Sequence, residues 1–211
     1  MKLEQPFRAA RRDDCRRIAE LFNVAGAGVP EYVWTSMADE YPGLTPIEIG
    51  QQRYSRDDIP FSYRNTVVAE IDGRVIGILV CFPIEEVDSA DEDATDQDVP
   101  SDGAGESEEE TGPDVMRPYR ELEIPGSFYI CAVALEPDFR GQGLGTRLME
   151  IARQQAREAG LKTLSLLAFD ANPKAVKLYE RLGFKTVETM PVVPHPLIRY
   201  RGNVLLMIAD V

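Results

Sequence analysis

Three glycines alternate with other residues in the stretch FRGQGLGTRL: Gly141, Gly143 and Gly145. Arg140 precedes them, Arg147 follows them, and a segment with helical periodicity begins within the stretch. The first free backbone N–H groups of a helix carry partial positive charge, and glycines let a ligand approach them closely. Arg140 and Arg147 add positive charge, so the stretch favours binding of an anion such as a pyrophosphate. A glycine-rich turn without a ligand would also account for these residues.

Two common phosphate-binding motifs do not match this stretch. A Walker loop requires G-x-x-x-x-G-K-[ST], but Thr146 and Arg147 stand where the second glycine and the lysine should be. A dinucleotide fingerprint requires G-x-G-x-x-G. Thr146 or Leu148 would occupy its last glycine position, depending on which glycine starts the motif. Neither a P-loop nor a Rossmann site is therefore predicted.

Together with its neighbours, the stretch resembles the acetyl-CoA-binding motif of the GNAT superfamily of N-acetyltransferases, whose core is [RQ]-x-x-G-x-[GA]. Arg140, Gly143 and Gly145 match those positions. About 27 residues later, the segment 172–184 resembles the family's N-x-x-A-x-x-[LF]-Y-x-x-x-G-F signature. The opening sequence FRAARRDDCRRIAELF also resembles the family's first strand and helix. The resemblance covers most of the chain outside an acidic segment at 85–114 and, less clearly, residues 31–63.

The resemblance implies that acetyl-CoA is the acyl donor and that a strand at Ser127–Leu135 lies beside its pantetheine arm. Asn172 would contact the donor near the pantetheine end, and Tyr179 would lie near the thioester sulfur. No metal is expected. The implied donor-binding residues are Val133, Ala134, Leu135, Arg140, Gly141, Gln142, Gly143, Leu144, Gly145, Thr146 and Asn172.

The implied reaction is direct attack of an amine on the acetyl thioester, without an acyl-enzyme. The amine must be neutral, the oxyanion needs a donor, and the leaving thiolate needs a proton. A backbone N–H of the Ser127–Leu135 strand is a candidate oxyanion donor. Tyr179 is the candidate proton donor, although periodicity alone also fits a core aromatic. The base stays open between water and four carboxylates: Glu31, Asp39, Glu121 and Glu123.

Other residues with chemical potential fit two interpretations each. His195, the only histidine, is framed by prolines and is either a rigid substrate contact or base, or a loop residue without a catalytic role. Cys131 with His195 could suggest a thiol nucleophile, but no orienting third group or elbow motif supports it. Trp34 and Tyr32 fit an acceptor pocket or the core equally well.

The elements that must position these residues follow from the periodicity. Asp72-Gly73 between two Val- and Ile-rich runs predicts a hairpin. Later segments predict a strand at Ser127–Leu135, a helix at Leu144–Ala159, a strand at Thr163–Phe169, a helix from Asn172-Pro173 to Leu182, and strands at Phe184–Met190 and Asn203–Ala209. The expected fold class is α/β (α+β), a mixed, mostly antiparallel central sheet with helices on both faces. Residues 1–211 are expected to form a single acetyltransferase domain.

The charge distribution limits the possible partners. The net charge is −13, but 14 of the 36 acidic residues lie between Glu85 and Asp114, where there is no Lys or Arg. Outside that segment, 22 acidic residues face 23 basic ones. The segment is predicted to be a disordered insertion, either a solvated loop or a regulatory one. Because no dense basic patch is present, nucleic acid binding is not expected.

Apolar runs, the N-terminal sequence and the cysteines bear on the location and partners of the protein. No apolar run is long enough for a membrane span and no signal peptide is evident, so we expect no membrane association. The three cysteines, Cys15, Cys81 and Cys131, favour buried reduced thiols in a cytoplasmic protein. The expected partners are acetyl-CoA and an unidentified amine acceptor, with a homodimer possible. The competing interpretation is a non-catalytic acyl-CoA-binding sensor or interaction module on the same fold.

Overall fold

A computed structural model of the chain describes residues 3–85 and 113–211. The helices are α1 (Cys15–Ala25), α2 (Val29–Ser36), α3 (Pro46–Tyr54), α4 (Arg117–Glu121), α5 (Leu144–Glu158) and α6 (Pro173–Arg181). The strands are β1 (Phe7–Ala9), β2 (Thr66–Ile71), β3 (Arg74–Pro83), β4 (Phe128–Leu135), β5 (Thr163–Phe169), β6 (Lys185–Pro191) and β7 (Asn203–Asp210). The acidic insertion predicted at 85–114 lies, apart from its end residues, outside the described part of the chain.

The described strands form one sheet in the order β1-β2-β3-β4-β5-β7-β6. Every neighbouring pair is antiparallel except β4 and β5, which are parallel and are joined through helix α5. The predicted mixed, mostly antiparallel sheet is therefore confirmed. The single parallel pair lies in the middle of the sheet and follows from the helical crossover, since parallel neighbours cannot be joined by a short turn.

Helices cover both faces of the sheet, as predicted. On one face, α5 buries Leu148, Met149 and Ala152 against apolar residues from β1 to β7. On the other face, α1, α2 and α3 bury a second cluster that includes Ile18 and Ile49. Because both faces are covered, the central strands are almost continuously apolar rather than alternating. This pattern explains the uninterrupted hydrophobic runs in the sequence.

Local sequence signals account for several element boundaries. Asp72 and Gly73 both have positive φ, 51° and 74°, as a two-residue hairpin turn of the primed type requires. Thr45 and Glu48 form a capping box at the start of α3. The run of apolar and aromatic residues after Pro30 predicts a short second helix at Glu31–Tyr41, whereas α2 is Val29–Ser36. It starts earlier because Gly28, with φ of 96°, reverses the chain, and Pro30 fits the first helical turn.

No helix among the described residues is long and apolar enough to cross a membrane.

Candidate active site

The site is built around the point where β4 and β5 separate. The two strands pair only at Phe128–Leu164, Tyr129–Ser165 and Ile130–Leu166. At the same level, β4 has a bulge against β3, because Val80 pairs with Ala132 and Cys81 pairs with Ile130. A bulge bends a strand and redirects its side chains. Beyond Ile130 the edge of β4 that faces β5 is therefore free of strand partners, and its backbone groups are open to a ligand.

A cavity of about 1060 Å³ occupies this gap. All of the predicted donor-binding residues and Tyr179 line it, with the exception of Gln142 and Leu144. The Gln142 side chain instead donates from Nε2 to the carbonyl oxygen of Asp138 at 2.9 Å. Leu144 packs against the core beneath α5. The backbone of both residues still belongs to the glycine loop, so the loop as a whole borders the cavity.

The glycine loop presents a run of unused backbone donors. Among the described residues, none of the six N–H groups from 141 to 146 finds a hydrogen-bond acceptor, whereas the next, that of Arg147, donates to the Gly143 carbonyl oxygen at 3.1 Å. Gly141 and Gly143 have φ of 75° and 83°, in the left-handed region that glycine adopts without strain. Gly143 is also the N-cap of α5 and no side chain caps the helix. Unpartnered backbone N–H groups at a helix N-terminus are the arrangement by which proteins commonly bind anions.

The two arginines that flank the loop differ in position. Arg140 lines the cavity, and its Nε donates to the Leu135 carbonyl oxygen at 2.9 Å, which ties the loop to the end of β4. Arg147 turns away from the cavity. Its guanidinium lies 4.9 Å from the ring centroid of Phe7 and near Glu4. The charge that the sequence assigned to Arg147 therefore does not reach the loop, and Arg140 supplies the side-chain cation.

Asn172 and Tyr179 reach the cavity from helix α6. The Oδ1 of Asn172 accepts a 3.4 Å hydrogen bond from the Ala175 N–H and so caps the helix, which leaves the side-chain NH₂ for a ligand. The ring of Tyr179 is 6.0 Å from that of Phe184 and packs on the core, and its hydroxyl makes no hydrogen bond within the described residues. Burial raises the pKa of Tyr179 to about 12, so the phenol stays protonated at neutral pH.

The four candidate carboxylates lie in different places. Glu123, between α4 and β4, lines the cavity. Glu31 does not line the cavity, and it accepts a 2.9 Å hydrogen bond from Asn23. Glu121 pairs with Arg117 on the surface, and Asp39 is exposed. Of the four, Glu123 alone borders the space beside β4.

The three cysteines are free thiols, as the sequence predicts. Cys131 is the residue that the bulge of β4 accommodates, and it lines the cavity. Burial raises its pKa far above the usual thiol range, with Glu123 raising it further. A neutral thiol is a poor nucleophile, so its surroundings do not favour a covalent acyl-cysteine.

His195 does not line the cavity. Its ring packs at 4.7 Å, edge to face, against that of Tyr32, and its Nδ1 accepts a 3.3 Å hydrogen bond from the Leu197 N–H. These contacts favour the interpretation as a loop residue without a catalytic role. Trp34 is buried, packs with Phe22 and lines the cavity, so it belongs to both the core and the pocket wall. Tyr32 lies outside the cavity.

Several lining residues lie outside the recognised motifs. Tyr119 comes from α4, and Arg199 and Tyr200 come from the connection between β6 and β7. The ring of Phe169 joins the two segments, since it lies 6.3 Å from that of Tyr119 and 5.1 Å from that of Tyr200. No spacing along the chain connects these residues, and only the folded chain brings them together.

Comparison with known sequences agrees with this geometry. Residues 31–184 match the family described as the acetyltransferase (GNAT) family. The mycothiol acetyltransferase of Propionibacterium freudenreichii is 38% identical over 64 residues, which are 30% of this chain and 20% of that protein. The thialysine N-epsilon-acetyltransferase of Sus scrofa is 33% identical over 57 residues, 27% of this chain and 34% of that protein. The chain thus matches about a fifth to a third of the length of these relatives.

Solved structures share the fold over almost the whole chain. A crystal structure of an acetyltransferase superposes with a TM-score of 0.62 and 24% identity, covering 97% of this chain and 98% of that one. The N-acetyltransferase from Staphylococcus aureus Mu50 gives a TM-score of 0.60 and 17% identity, covering 96% and 99%. At these identities the likeness concerns the fold.

Proposed function

This chain belongs to the acetyltransferase (GNAT) family, and we propose that it transfers an acetyl group from acetyl-CoA to an amine by direct attack in a ternary complex. The expected family is thus confirmed by the family match. The observation that carries the proposal is that a loop of unpartnered N–H groups and the Tyr179 phenol border one cavity, beside the open edge of β4.

The donor-binding residues fit acetyl-CoA. The N–H groups of residues 141–146, with the Arg140 guanidinium, supply the donors that a pyrophosphate requires. The free edge of β4 offers the backbone groups of Val133 and the N–H of Leu135 to the amides of a pantetheine arm. Ala134 lies between them on the same strand and lines the cavity. The side-chain NH₂ of Asn172 adds a donor from α6. When bound, acetyl-CoA supplies the activated acetyl thioester.

The acceptor amine must lose a proton before or during attack, and Glu123 is the carboxylate placed to take it. A backbone N–H of β4 beyond the bulge would stabilise the oxyanion that forms as nitrogen bonds to the acetyl carbon. When the carbonyl reforms, the C–S bond breaks and sulfur leaves as a thiolate. Glu123 would take the proton of the amine directly or through one water.

Tyr179 would assist the departing sulfur. With its pKa raised to about 12, full proton transfer to a thiol of ordinary pKa, about 8.5, is unfavourable by roughly 3.5 pKa units. We therefore assign Tyr179 the role of a positioned hydrogen-bond donor, which stabilises the charge that develops on sulfur while the phenol keeps its proton. The released thiolate takes its proton from water. Positioning matters more here than acidity.

We also propose that residues 1–211 form a single acetyltransferase domain and that the protein functions in the cytoplasm. The second proposal rests on three free thiols, since a reducing compartment keeps such thiols unpaired.

Calorimetry with acetyl-CoA, followed by thiol release across a panel of amines, tests the proposed function. We expect binding at or below high micromolar concentration and thiol release that depends on an amine. No detectable binding would refute the proposal. Binding without turnover of any amine, unaffected by Tyr179→Phe, would instead support the acyl-CoA sensor on the same fold.

A further inference from the structure

The cavity carries charge of the opposite sign to the chain. The chain has a net charge of −13, yet six Arg and Lys residues line the cavity and Glu123 is the only carboxylate among the described lining residues. Arg140 lies at the glycine loop, and Lys174 and Arg181 lie on α6, so these three belong to the donor side. Three arginines come from elements outside the donor motifs: Arg53, Arg120 and Arg199.

Arg199 differs from Arg120 in its electrostatic surroundings. Arg120 forms an ion pair with Asp114, which offsets its charge. Among the described residues, no carboxylate lies within ion-pairing distance of Arg199, whose Nη2 donates to the Asn23 carbonyl oxygen at 2.7 Å. Glu31 accepts a hydrogen bond from the Asn23 side chain but forms no ion pair with Arg199. The Nε and Nη1 groups of Arg199 make no hydrogen bond to the described residues, and Nη2 uses one of its two N–H groups for Asn23. The remaining Nη2 N–H forms a two-donor edge with Nε or Nη1, which stays available.

The chain holds Arg199 firmly at the cavity wall. Its backbone N–H donates to the Ala27 carbonyl oxygen at 2.8 Å, and its side chain bonds the last turn of α1. The connection between β6 and β7 also packs closely against Gly28, where an added Cβ would lie 1.9 Å from the Leu197 carbonyl oxygen. This segment is therefore seated on the turn between α1 and α2. A guanidinium fixed in this way loses little entropy when it binds an anion.

The surrounding wall is aromatic and contains unsatisfied hydroxyls. Tyr200, Phe169 and Tyr119 form one side of it. The hydroxyl oxygens of Tyr54 and Tyr119 are buried and have no hydrogen-bond partner among the described residues, and both residues line the cavity. Neither oxygen is accessible from the cavity, so these residues present their rings rather than their hydroxyls to a ligand. The wall thus suits a ligand with an apolar body.

We propose that the acceptor is an amino acid with an apolar or aromatic body, whose carboxylate binds Arg199 and whose amine faces Glu123. This inference rests on the proposed acetyl transfer and specifies its substrate class. A carboxylate fits because a guanidinium without a carboxylate partner matches it with two parallel hydrogen bonds. Arg199 would then determine specificity by binding the acceptor.

Stabilisation of helix α1 by Arg199 must be distinguished from acceptor binding, because a cation at a helix C-terminus stabilises the helix. If that were its whole function, substitution would lower the melting temperature without changing which amines are acetylated. Selectivity between a carboxylated and an uncharged amine is therefore the informative measurement. Arg201, which is exposed, does not line the cavity and makes no hydrogen bond among the described residues, provides the matched control.

The experiment compares two acceptor pairs that differ in the carboxylate: phenylalanine with 2-phenylethylamine, and 6-aminohexanoate with hexylamine. Thiol release from acetyl-CoA gives kcat/KM for each in the wild type, Arg199→Gln and Arg201→Gln. In at least one pair, we expect the carboxylated acceptor to be favoured by at least about tenfold, the effect of one charge-assisted interaction. Arg199→Gln should remove that preference mainly by raising KM, and Arg201→Gln should retain it.

Failure of this inference is distinct from failure of the proposed function. Equal or better turnover of both uncharged amines, or a preference unchanged in Arg199→Gln, would overturn the amino acid proposal while acetyl transfer stands. Absence of transfer to all four amines would overturn the amino acid proposal as well, whereas acetyl-CoA binding measured on the same samples tests the donor site separately. A lower melting temperature in Arg199→Gln with unchanged selectivity would assign Arg199 to helix capping alone.

Discussion

A Cβ placed on Gly28 would lie 1.9 Å from the carbonyl oxygen of Leu197. The turn between α1 and α2 is thus in direct contact with the connection that carries Arg199 to the cavity. Gly28 also has φ of 96°, which disfavours any side chain. Two independent constraints therefore require glycine at this position.

We predict that Gly28→Ala destabilises the protein by more than about 2 kcal/mol, because backbone strain and a clash with backbone add. Gly43→Ala is the matched control, since Gly43 has φ of 82° but open space around its Cβ. It should cost only the strain of a left-handed alanine, roughly 1 kcal/mol. Urea denaturation measures both. Equal losses of unfolding free energy in the two variants would show that the backbone at Leu197 moves to accommodate the added methyl group at little cost.

Acetyl-CoA affinity should depend on the conformation of the glycine loop. Gly143→Ala and Gly160→Ala replace glycines with φ of 83° and 74° at the two ends of α5, each with no atom within 4 Å of the added Cβ. Both should therefore lose a similar roughly 1 kcal/mol of stability. Because only Gly143 borders the cavity, we expect acetyl-CoA to bind about tenfold more weakly to that variant alone. Calorimetry showing equal affinities would contradict the loop's assigned role.

Removal of the Tyr179 hydroxyl should lower kcat without weakening acetyl-CoA binding. We expect Tyr179→Phe to lose about 10²- to 10³-fold in kcat, the usual contribution of one positioned hydrogen-bond donor. Tyr41→Phe is the control, since Tyr41 packs in the other core cluster and does not line the cavity. Unchanged kcat in Tyr179→Phe would leave Tyr179 as a packing residue.

The pH dependence gives a second measure of Tyr179. Burial raises the pKa of its phenol from about 10 to about 12, so the donating form persists as pH rises through 10. We therefore compare the pH profiles of the wild type and Tyr179→Phe with a saturating amine. The wild-type profile should contain no fall in rate near pH 10 that disappears in the variant. Such a loss would indicate that the phenol ionises at its ordinary pKa.

Glu123 should act as the base that deprotonates the acceptor. Glu123→Gln is expected to lower kcat/KM by about 10²-fold or more at pH 7, with partial recovery at higher pH as more of the amine becomes neutral in solution. Glu121→Gln is the control, because Glu121 is exposed, pairs with Arg117 and lies outside the cavity. A small, pH-independent effect at Glu123 would favour a water molecule as the proton acceptor.

Cys131 should not carry the acetyl group. The raised pKa of its buried thiol keeps it protonated, so Cys131→Ala should retain kcat within about threefold. Intact-mass measurement after incubation with acetyl-CoA alone should detect no acetylated protein. An acetyl adduct that is absent from the Cys131→Ala variant would establish a covalent pathway.

The residues that the sequence assigns to the donor side lie together at one cavity because their determinants are local. A helix N-terminus, a left-handed glycine and an N-cap asparagine each depend on neighbouring residues, so Gly143 and Asn172 could be picked out from the sequence and the family motifs that they match. The family and the mostly antiparallel sheet are confirmed on the same basis. The roles of the individual site residues stay predictions. Even here one residue was misjudged, because Arg147 packs on Phe7, which lies far away in sequence.

The residues that we propose for the acceptor side are brought together by tertiary structure alone. Glu123 could be separated from Glu31, Asp39 and Glu121 only when the strands were assembled, and Arg199 and Tyr200 had no motif. These residues come from segments far apart in the chain, and their proximity depends on packing between α1, α4 and the β6–β7 connection. Short-range periodicity determines which faces are apolar and where helices begin, so the sequence itself determined the family, the sheet and the position of the glycine loop. Long-range packing determines which charges share a cavity, and only the folded chain could decide that.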